Sequence, residues 1–444
     1  MELEIKNINY RQRTLHFVFK PSIKQGVVLD SITYASSKLW NVANFERKAW
    51  TEASGKKYPN WYEQKQRLKT DFWYKALPSQ TSQEVLKQLD GAWKSFYKLR
   101  KTKGIKNPKP PKYKHENFNV RWLNNGFKLE NNFIKLTIPK QQKIYLKEAK
   151  NVAIAFLYIK LPKNYQKLEG KPKIIEIIPD KKTKKYQVNI ILELPPMEVK
   201  EANERYLSID LGINNLMACF TNTGKTFIIS GRQLLSLNRY FAKTISHYQA
   251  IFDAQQAAKG LKYYKQSKRM EQLYTKREKQ VAHLLHTATK KVLEFAEKEK
   301  VTKIILGDIS GIREEKNLGH VNNQKFHAWP FGKIEALLRY KAEDRGIAFA
   351  KQEESFTSQC PPSAKEISAK TAKKNNRKAR GLYLDNGKLL NADGVGAYNI
   401  LKKYLQRAGQ PAPAVVGLDT PSMYRWDSSK GFLENTKLVN LLTR

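Results

Sequence analysis

The stretch 206-YLSIDLGINNLMACF-220 decides the fold of this 444-residue chain. Tyr206 to Ile209 is an apolar run that predicts a buried strand, Asp210 stands where that strand ends, and Gly212 opens a turn into a second strand, Leu216 to Phe220. A third strand follows at Thr226 to Ser230, and helical spacing then fills Gln233 to about Lys300. Beyond it come a strand at Thr302 to Leu306, a helix at Lys333 to Arg345, a strand at Ile347 to Gln352, and a last helix from about Gly396 to Leu405. Three antiparallel strands followed by strand, helix and strand is the order of an RNase H-like sheet, which gathers carboxylates at its strand ends. Asp393, just before the last helix, sits where an anion is tolerated. Two aspartates far apart in sequence can therefore meet, the arrangement of a metal-dependent nuclease.

Outward from this core, the first 200 residues alternate in character. Leu3 to Phe19 has the period of an antiparallel strand, whereas Gly26 to Ala53, Tyr62 to Lys69 and Thr81 to Leu99 have helical spacing. The segment 101-KTKGIKNPKPPKYK-114 is too rich in proline, glycine and lysine for a helix and reads as a basic linker. After it, NFNVRWL, GFKLENNFIKLTI, NVAIAFLYIKL, KIIEIIP and KYQVNIILEL form a set of short strands, expected to close a barrel or small sandwich. The tail from about Gln410, with Pro411, Pro413 and Pro421, reads as flexible.

A net charge of +42, with 82 Lys and Arg against 40 Asp and Glu, opposes compaction unless a polyanion offsets it. Nucleic acid fits this footprint, and an affinity that falls steeply with salt is expected. Tryptophans 40, 50, 61, 73, 93 and 122 interleave with the lysines, in a pattern that also suits RNA, although most of them serve the core. No run of about 18 apolar residues exists for a membrane span, and the charged N-terminal stretch has no apolar segment of a secretory signal. Two cysteines, Cys219 and Cys360, exclude a disulfide framework and suit a reducing cytoplasm.

Four ordered stretches, IDLGINNL, IILGDISGIR, ESFTSQC and ARGLYLDNGKLLNADGVGAYNIL, make most of the chain resemble the TnpB family of insertion-sequence nucleases and its relatives, the compact type V CRISPR effectors. The resemblance implies a multidomain α+β protein: a split wedge β-barrel (1–25 and 106–200) with a helical recognition insert (26–105). It further implies an RNase H-like RuvC nuclease domain (201–354 and 391–409), a degenerate zinc-ribbon loop (355–390), and the tail (410–444). It implies a guide RNA, double-stranded target DNA read beside a short motif, and no small-molecule substrate. A localisation in the bacterial cytoplasm, at the nucleoid when on DNA, follows.

The family's first and last catalytic aspartates fall on Asp210 and Asp393. Where most relatives end the fourth strand in Glu-Asp, this chain has Gly307-Asp308, and strand alternation turns Asp308 away from the face that position 307 serves. A subset of the family carries this glycine with a glutamate before the aromatic-Thr-Ser segment, matched by Glu354. A glutamate on the neighbouring fifth strand can reach the site, and Gly307 leaves it room; Glu353 is the competitor, one residue out of register. Asp210, Glu354 and Asp393 are thus the expected catalytic and metal-binding residues, holding two Mg²⁺ ions that cleave DNA to 5′-phosphate ends. Of the ribbon's usual cysteines only Cys360 is present, Ser363 stands in a partner position, and zinc is not expected. Without zinc, packing or contact with nucleic acid must hold the loop, and the basic run 365–380 favours nucleic acid. His283 and His286 lie on a remote helix and do not complete a site. The alternative is a nuclease-inactive, RNA-guided DNA-binding regulator of the same family, while general RNA binding would explain the charge but not the ordered motifs.

Overall fold

A computed structural model describes residues 11–435, apart from 54–59, 103–106, 166–167, 181–182, 184, 202, 262–265, 310–318, 320–322, 324–327 and 378–380. The end of IILGDISGIR, the first eight residues of the expected opening strand and the last nine of the tail therefore lie outside the described residues. The chain divides into two units, one ending at Pro196 and one beginning at Met197.

In the first unit, β1 (Arg11–Phe19) pairs antiparallel along its whole length with β7 (Lys185–Leu194), from Arg11 opposite Leu194 to Phe19 opposite Tyr186. β6 (Lys171–Asp180) and β2 (Val120–Leu123) complete the order β1-β7-β6-β2. A second sheet joins β3 (Phe127–Glu130), β4 (Phe133–Thr137) and β5 (Phe156–Lys160). Two antiparallel sheets thus stand where five runs suggested a barrel or small sandwich. Between β1 and β2 run α1 (Ile23–Ala53), α2 (Trp61–Leu68), the single turn α3 (Phe72–Lys75) and α4 (Ser79–Thr102). Val28, Leu29, Ile32 and Leu39 bury one face of α1, and Trp40, Trp93 and Trp122 are buried in the same core as the strands. The Arg47 guanidinium is fully buried, which it tolerates because it meets Asp90 at 3.0 Å and Gln64 at 2.8 Å.

The basic linker is fastened rather than loose. Asn44, Trp40 and Asn41 of α1 donate to the carbonyls of Pro111, Lys112 and Lys114, so side chains satisfy a backbone that proline keeps out of regular structure. A helix that the sequence pattern hid, α5 (Lys140–Lys150), separates β4 from β5. Its eleven residues bury little beyond Gln142 and Leu146, so its amphipathic signal is weak, and Asn151 ends it in a left-handed conformation at φ 52°.

The second unit is layered α/β/α. Its sheet has the order β12-β11-β8-β9-β10-β15-β16. β8 (Tyr206–Leu211), β9 (Asn215–Thr221) and β10 (Thr226–Ser230) form an antiparallel meander; β11 (Lys303–Asp308) lies parallel to β8, and β12 (Ala348–Glu353) parallel to β11. Among the helices, α6 (Arg232–Ala258) and α7 (Lys268–Lys298) follow the meander, and α8 (Phe331–Glu343) crosses from β11 to β12. The hairpin β13 (Leu382–Asp385) and β14 (Lys388–Asn391) leads into α9 (Ala392–Arg407). Alternation sorts the faces: Ile209, Ile304 and Leu306 pack with α7 and α8, whereas Ala218, Ile305 and Phe220 pack with Val395, Ala397 and Leu401 of α9.

The tail departs from expectation. β15 (Ser422–Asp427) adds parallel to β10, with Phe227 to Ile229 opposite Ser422 to Tyr424, and β16 (Gly431–Glu434) folds back on it. The turn between them is closed by the Asp427 carboxylate, which accepts from the Ser429 and Lys430 amides. Three nearby prolines and the shortness of each run masked a strand pair whose apolar residues, Tyr424, Trp426 and Phe432, matter only against the sheet. Among the described residues, no helix is long and apolar enough to cross a membrane.

Candidate active site

Asp210 lies within β8, not beyond its end, opposite Ala218 of β9 and on the face that α9 covers. Ser208, two residues earlier on the same face, donates to the Ala397 carbonyl of α9 at 2.7 Å and ties strand to helix. The helix comes this close because Gly396 has no side chain: a Cβ there would stand 2.3 Å from Asp210 Oδ2. Asp393 is the second residue of α9, which begins earlier than its apolar pattern suggested because Asn391 caps it, accepting from the Asp393 and Gly394 amides at 3.1 and 3.0 Å. The Asn215 carboxamide donates to Asp393 Oδ2 at 2.5 Å, and the Arg377 guanidinium approaches the other oxygen at 3.9 Å.

At the end of β12 the register sorts the remaining acids. Gly307 stands opposite Gln352, and Asp308 opposite Glu353. Asp308 turns from the α9 face and pairs with Lys351 at 2.8 Å, a lysine also held by Glu335 of α8. Glu353 is exposed and pairs with Lys403 at 2.5 Å; partial burial opposes ionisation, but the Lys403 and Ser355 hydrogen bonds hold its carboxyl below the usual range. Glu354 instead enters the space that Gly307 leaves. A Cβ at 307 would stand 1.8 Å from Glu354 Oε1 and 2.8 Å from the Ile400 side chain. Glycine at 307 and a carboxylate reaching in from 354 are thus one steric solution.

One oxygen of this carboxylate, Glu354 Oε1, is buried without a hydrogen-bond partner. Burial, reinforced by the charges of Asp308 and Glu353, pushes its pKa up to about 7. Asp210 is raised well above the ordinary aspartate value by burial first, then by Glu354 and Asp393, with Arg377 pulling the other way. Among the described residues, no three His, Cys, Asp or Glu groups are gathered tightly enough to hold an ion as the side chains stand. The local chemistry nonetheless fits a hard cation: the donors are all oxygens, one is orphaned in a buried position, and mutual repulsion raises proton affinities that a divalent ion would lower.

The loop that follows Glu354 is held from α9 and from within. Thr357 binds the Glu354 carbonyl through its amide at 3.1 Å and its hydroxyl at 2.8 Å, fixing the backbone that carries the carboxylate. The fully buried Asn399 amide donates to the carbonyls of Thr357 and Cys360, both at 2.7 Å, and the buried Lys402 ammonium donates to those of Pro362 and Ala364. Ser363 donates to both oxygens of Asp385, from its amide at 3.0 Å and its hydroxyl at 2.7 Å. Cys360 Sγ lies 3.4 Å from both the Ser368 carbonyl and the Thr371 hydroxyl. Hydrogen bonds within the chain therefore hold the loop. His283, by contrast, packs edge-on against Trp426.

Asn215, Gly396, Asn399 and Lys402 escaped the sequence reading. Each lies in or beside a quoted motif, but its role is a contact made across the fold, and none has a local signature. Arg377 is one cation in a basic run, with nothing local to single it out.

The first unit's helical insert and the second unit's sheet make this a mixed α+β chain of the architecture seen in compact Cas12 effectors. A Cas12f1 structure, described as the Cas12f1-sgRNA-target DNA complex, superposes with a TM-score of 0.58 at 15% identity, covering 85% of this chain and 82% of that one. The OrfB_IS605 family, described as "Probable transposase", matches residues 189–313, and the Cas12f1-like TNB domain matches 331–400. The TnpB-like protein ORF457 of Acidianus two-tailed virus is 24% identical, covering 90% of this chain and 88% of that protein. The chain is thus similar in sequence to a TnpB-like protein and in fold to a Cas12f1 effector.

Proposed function

We propose that the chain is an RNA-guided DNA endonuclease whose active centre is Asp210, Glu354 and Asp393. The observation that carries this reading is the interlock of Gly307 with Glu354: the position that lacks a carboxylate is filled by one from just beyond the neighbouring strand, with one oxygen buried and without a donor. A solvated surface glutamate would have neither property. The +42 charge supplies the general affinity for nucleic acid, and the guide supplies sequence. Under this reading 201–354 with 391–409 form the RuvC nuclease, to which we add β15 and β16. The first unit forms the wedge and recognition insert, and 355–390 is a ribbon held by Asn399, Lys402 and Asp385 in place of zinc.

The three carboxylates would hold the divalent ions, most simply Mg²⁺, which when bound supply activation of water and stabilisation of the leaving 3′-oxygen. The chain's own contribution is placement. Asn215 and the Asn391 cap orient Asp393, the Thr357 turn presents Glu354, and Gly396 lets α9 approach Asp210. Arg377 offers a positive charge beside the site for a scissile phosphate.

The test is to purify the protein with the RNA it carries, sequence that RNA, and assay matched double-stranded DNA with Mg²⁺. A defined guide and guide-dependent cuts are the expected result. A defined guide with DNA binding but no cut would favour the regulator, and heterogeneous cellular RNA would overturn the guided reading altogether.

A further inference from the structure

We infer that a cavity beside the carboxylates is a subsite for one unpaired base of the DNA strand being cut; the inference rests on the nuclease reading and deepens it. The cavity, of about 620 Å³, is lined by Phe356, Gln359, Ala369, Lys373, Asn375 and Asn376. That volume falls within the roughly 300–1,000 Å³ of small-molecule sites, enough for a base with its sugar.

Phe356 is the distinctive element. It follows Glu354 by two residues and holds φ at +66°, a left-handed conformation that a bulky side chain adopts only under constraint. The constraint is visible: the Phe356 carbonyl accepts from the amides of Gln359 and Cys360, both at 3.0 Å, so the chain turns sharply there. The residue is left 38% exposed and lines the cavity. A strained backbone thus holds an aromatic side chain at the cavity, two residues from Glu354, where binding rather than packing can use it.

The rest of the lining has matching chemistry. Gln359, Asn375 and Asn376 carry carboxamides, the groups able to pair with both donors and acceptors on a base edge, and Lys373 supplies an ammonium for a phosphate. Among the described residues, no acidic one lines the cavity. Its connection to the cut is direct in sequence and in space: Arg377, next after Asn376, reaches within 3.9 Å of Asp393. A strand with its scissile phosphate at the carboxylates would place a neighbouring nucleotide over Phe356. Stacking tolerates any base, so the subsite would favour unpaired DNA over duplex and position the cut.

The test uses the full-length protein with its co-purified RNA and single-stranded DNA oligonucleotides, each carrying one abasic nucleotide at a successive position across the cut. In the wild type, one position should raise KM about tenfold with little change in kcat, the loss of a single stacking contact. In Phe356→Leu every substrate should already show that rise and the abasic site should add nothing, whereas Phe356→Tyr should behave as wild type. No position effect, or equal effects in Phe356→Leu and wild type, would overturn the subsite. If Phe356→Leu lowers the thermal midpoint, Gln359→Ala and Asn375→Ala take its place in the same cycle. Fluorescence of 2-aminopurine at each position, read on the Asp210→Ala protein, separates the two inferences. A position-specific signal that Phe356→Leu removes supports the subsite even if the wild type does not cut. Cutting without any such position leaves the nuclease standing and the subsite refuted.

Discussion

Two sets of carboxylates lie within a few residues of one another at the end of β11 and β12, and they are treated in opposite ways. Asp308 and Glu353 are each matched by a lysine, at 2.8 and 2.5 Å, and Glu353 ionises more readily than an isolated glutamate. Asp210 and Glu354, one register step away, have no ion pair among the described residues and are pushed toward the protonated state. The first set is neutralised by the chain itself. The second is left, among the described residues, without a positive partner, so ionising it costs stability unless something from outside completes it. Under the proposed reading, the difference separates structural acids from functional ones.

The comparison breaks first at Asp210→Ala and Asp393→Ala. Both should abolish guide-directed cutting while RNA binding, measured by co-purification, stays near wild type; Mg²⁺-dependent cleavage by either variant would refute the assignment. Next, Gly307→Ala should lower cleavage about 100-fold, because a methyl group where Glu354 now lies displaces the carboxylate by an ångström or more. Glu354→Gln should lose cutting as fully as the aspartate variants, whereas Glu353→Gln and Asp308→Asn should retain it within a few-fold.

Acidity sharpens the contrast at a smaller scale. A glutamate raised from 4.5 to about 7 favours the folded state when protonated, so its contribution is full below about pH 4.5 and is lost as pH rises through 7. With chelator present, the thermal midpoint of the wild type should therefore fall across that window relative to Glu354→Gln, and Mg²⁺ above pH 7 should recover it. An unchanged difference across the window would show that Glu354 is not buried in the unliganded protein. The smallest effect belongs to the matched set: Asp308→Asn should cost about 1 kcal/mol or less, since its pair is partly exposed.

How much of this was legible depends on what each residue does. Alternation along a strand turned Asp308 away from the face of position 307, a local rule that survives folding; Glu354 came from the family resemblance, with Glu353 as its competitor, and the small side chain at 307 only left it room. Helix α5 was missed because a short amphipath among lysines carries almost no apolar period. β15 and β16 were missed because prolines flank them and their apolar residues have meaning only against β10. Asn399 and Lys402 could not be found, since a side chain that binds backbone carbonyls of another segment leaves no pattern in its own. The loop after Glu354 shows the same limit: with Cys360 alone among the expected cysteines zinc was not expected, but nothing announced that Lys402 and Asn399 would bind its carbonyls.

The parallel pairing of β15 with β10 also bears on how the protein is made. β10 emerges from the ribosome some 190 residues before the strand that covers it, as the register of Phe227 with Ser422 implies. During that interval the row Thr226–Ser230 presents a bare apolar edge, a template for pairing between nascent chains. A product released near residue 410 would keep Asp210, Glu354 and Asp393 and still carry that open edge, so premature termination should yield aggregates rather than a smaller enzyme.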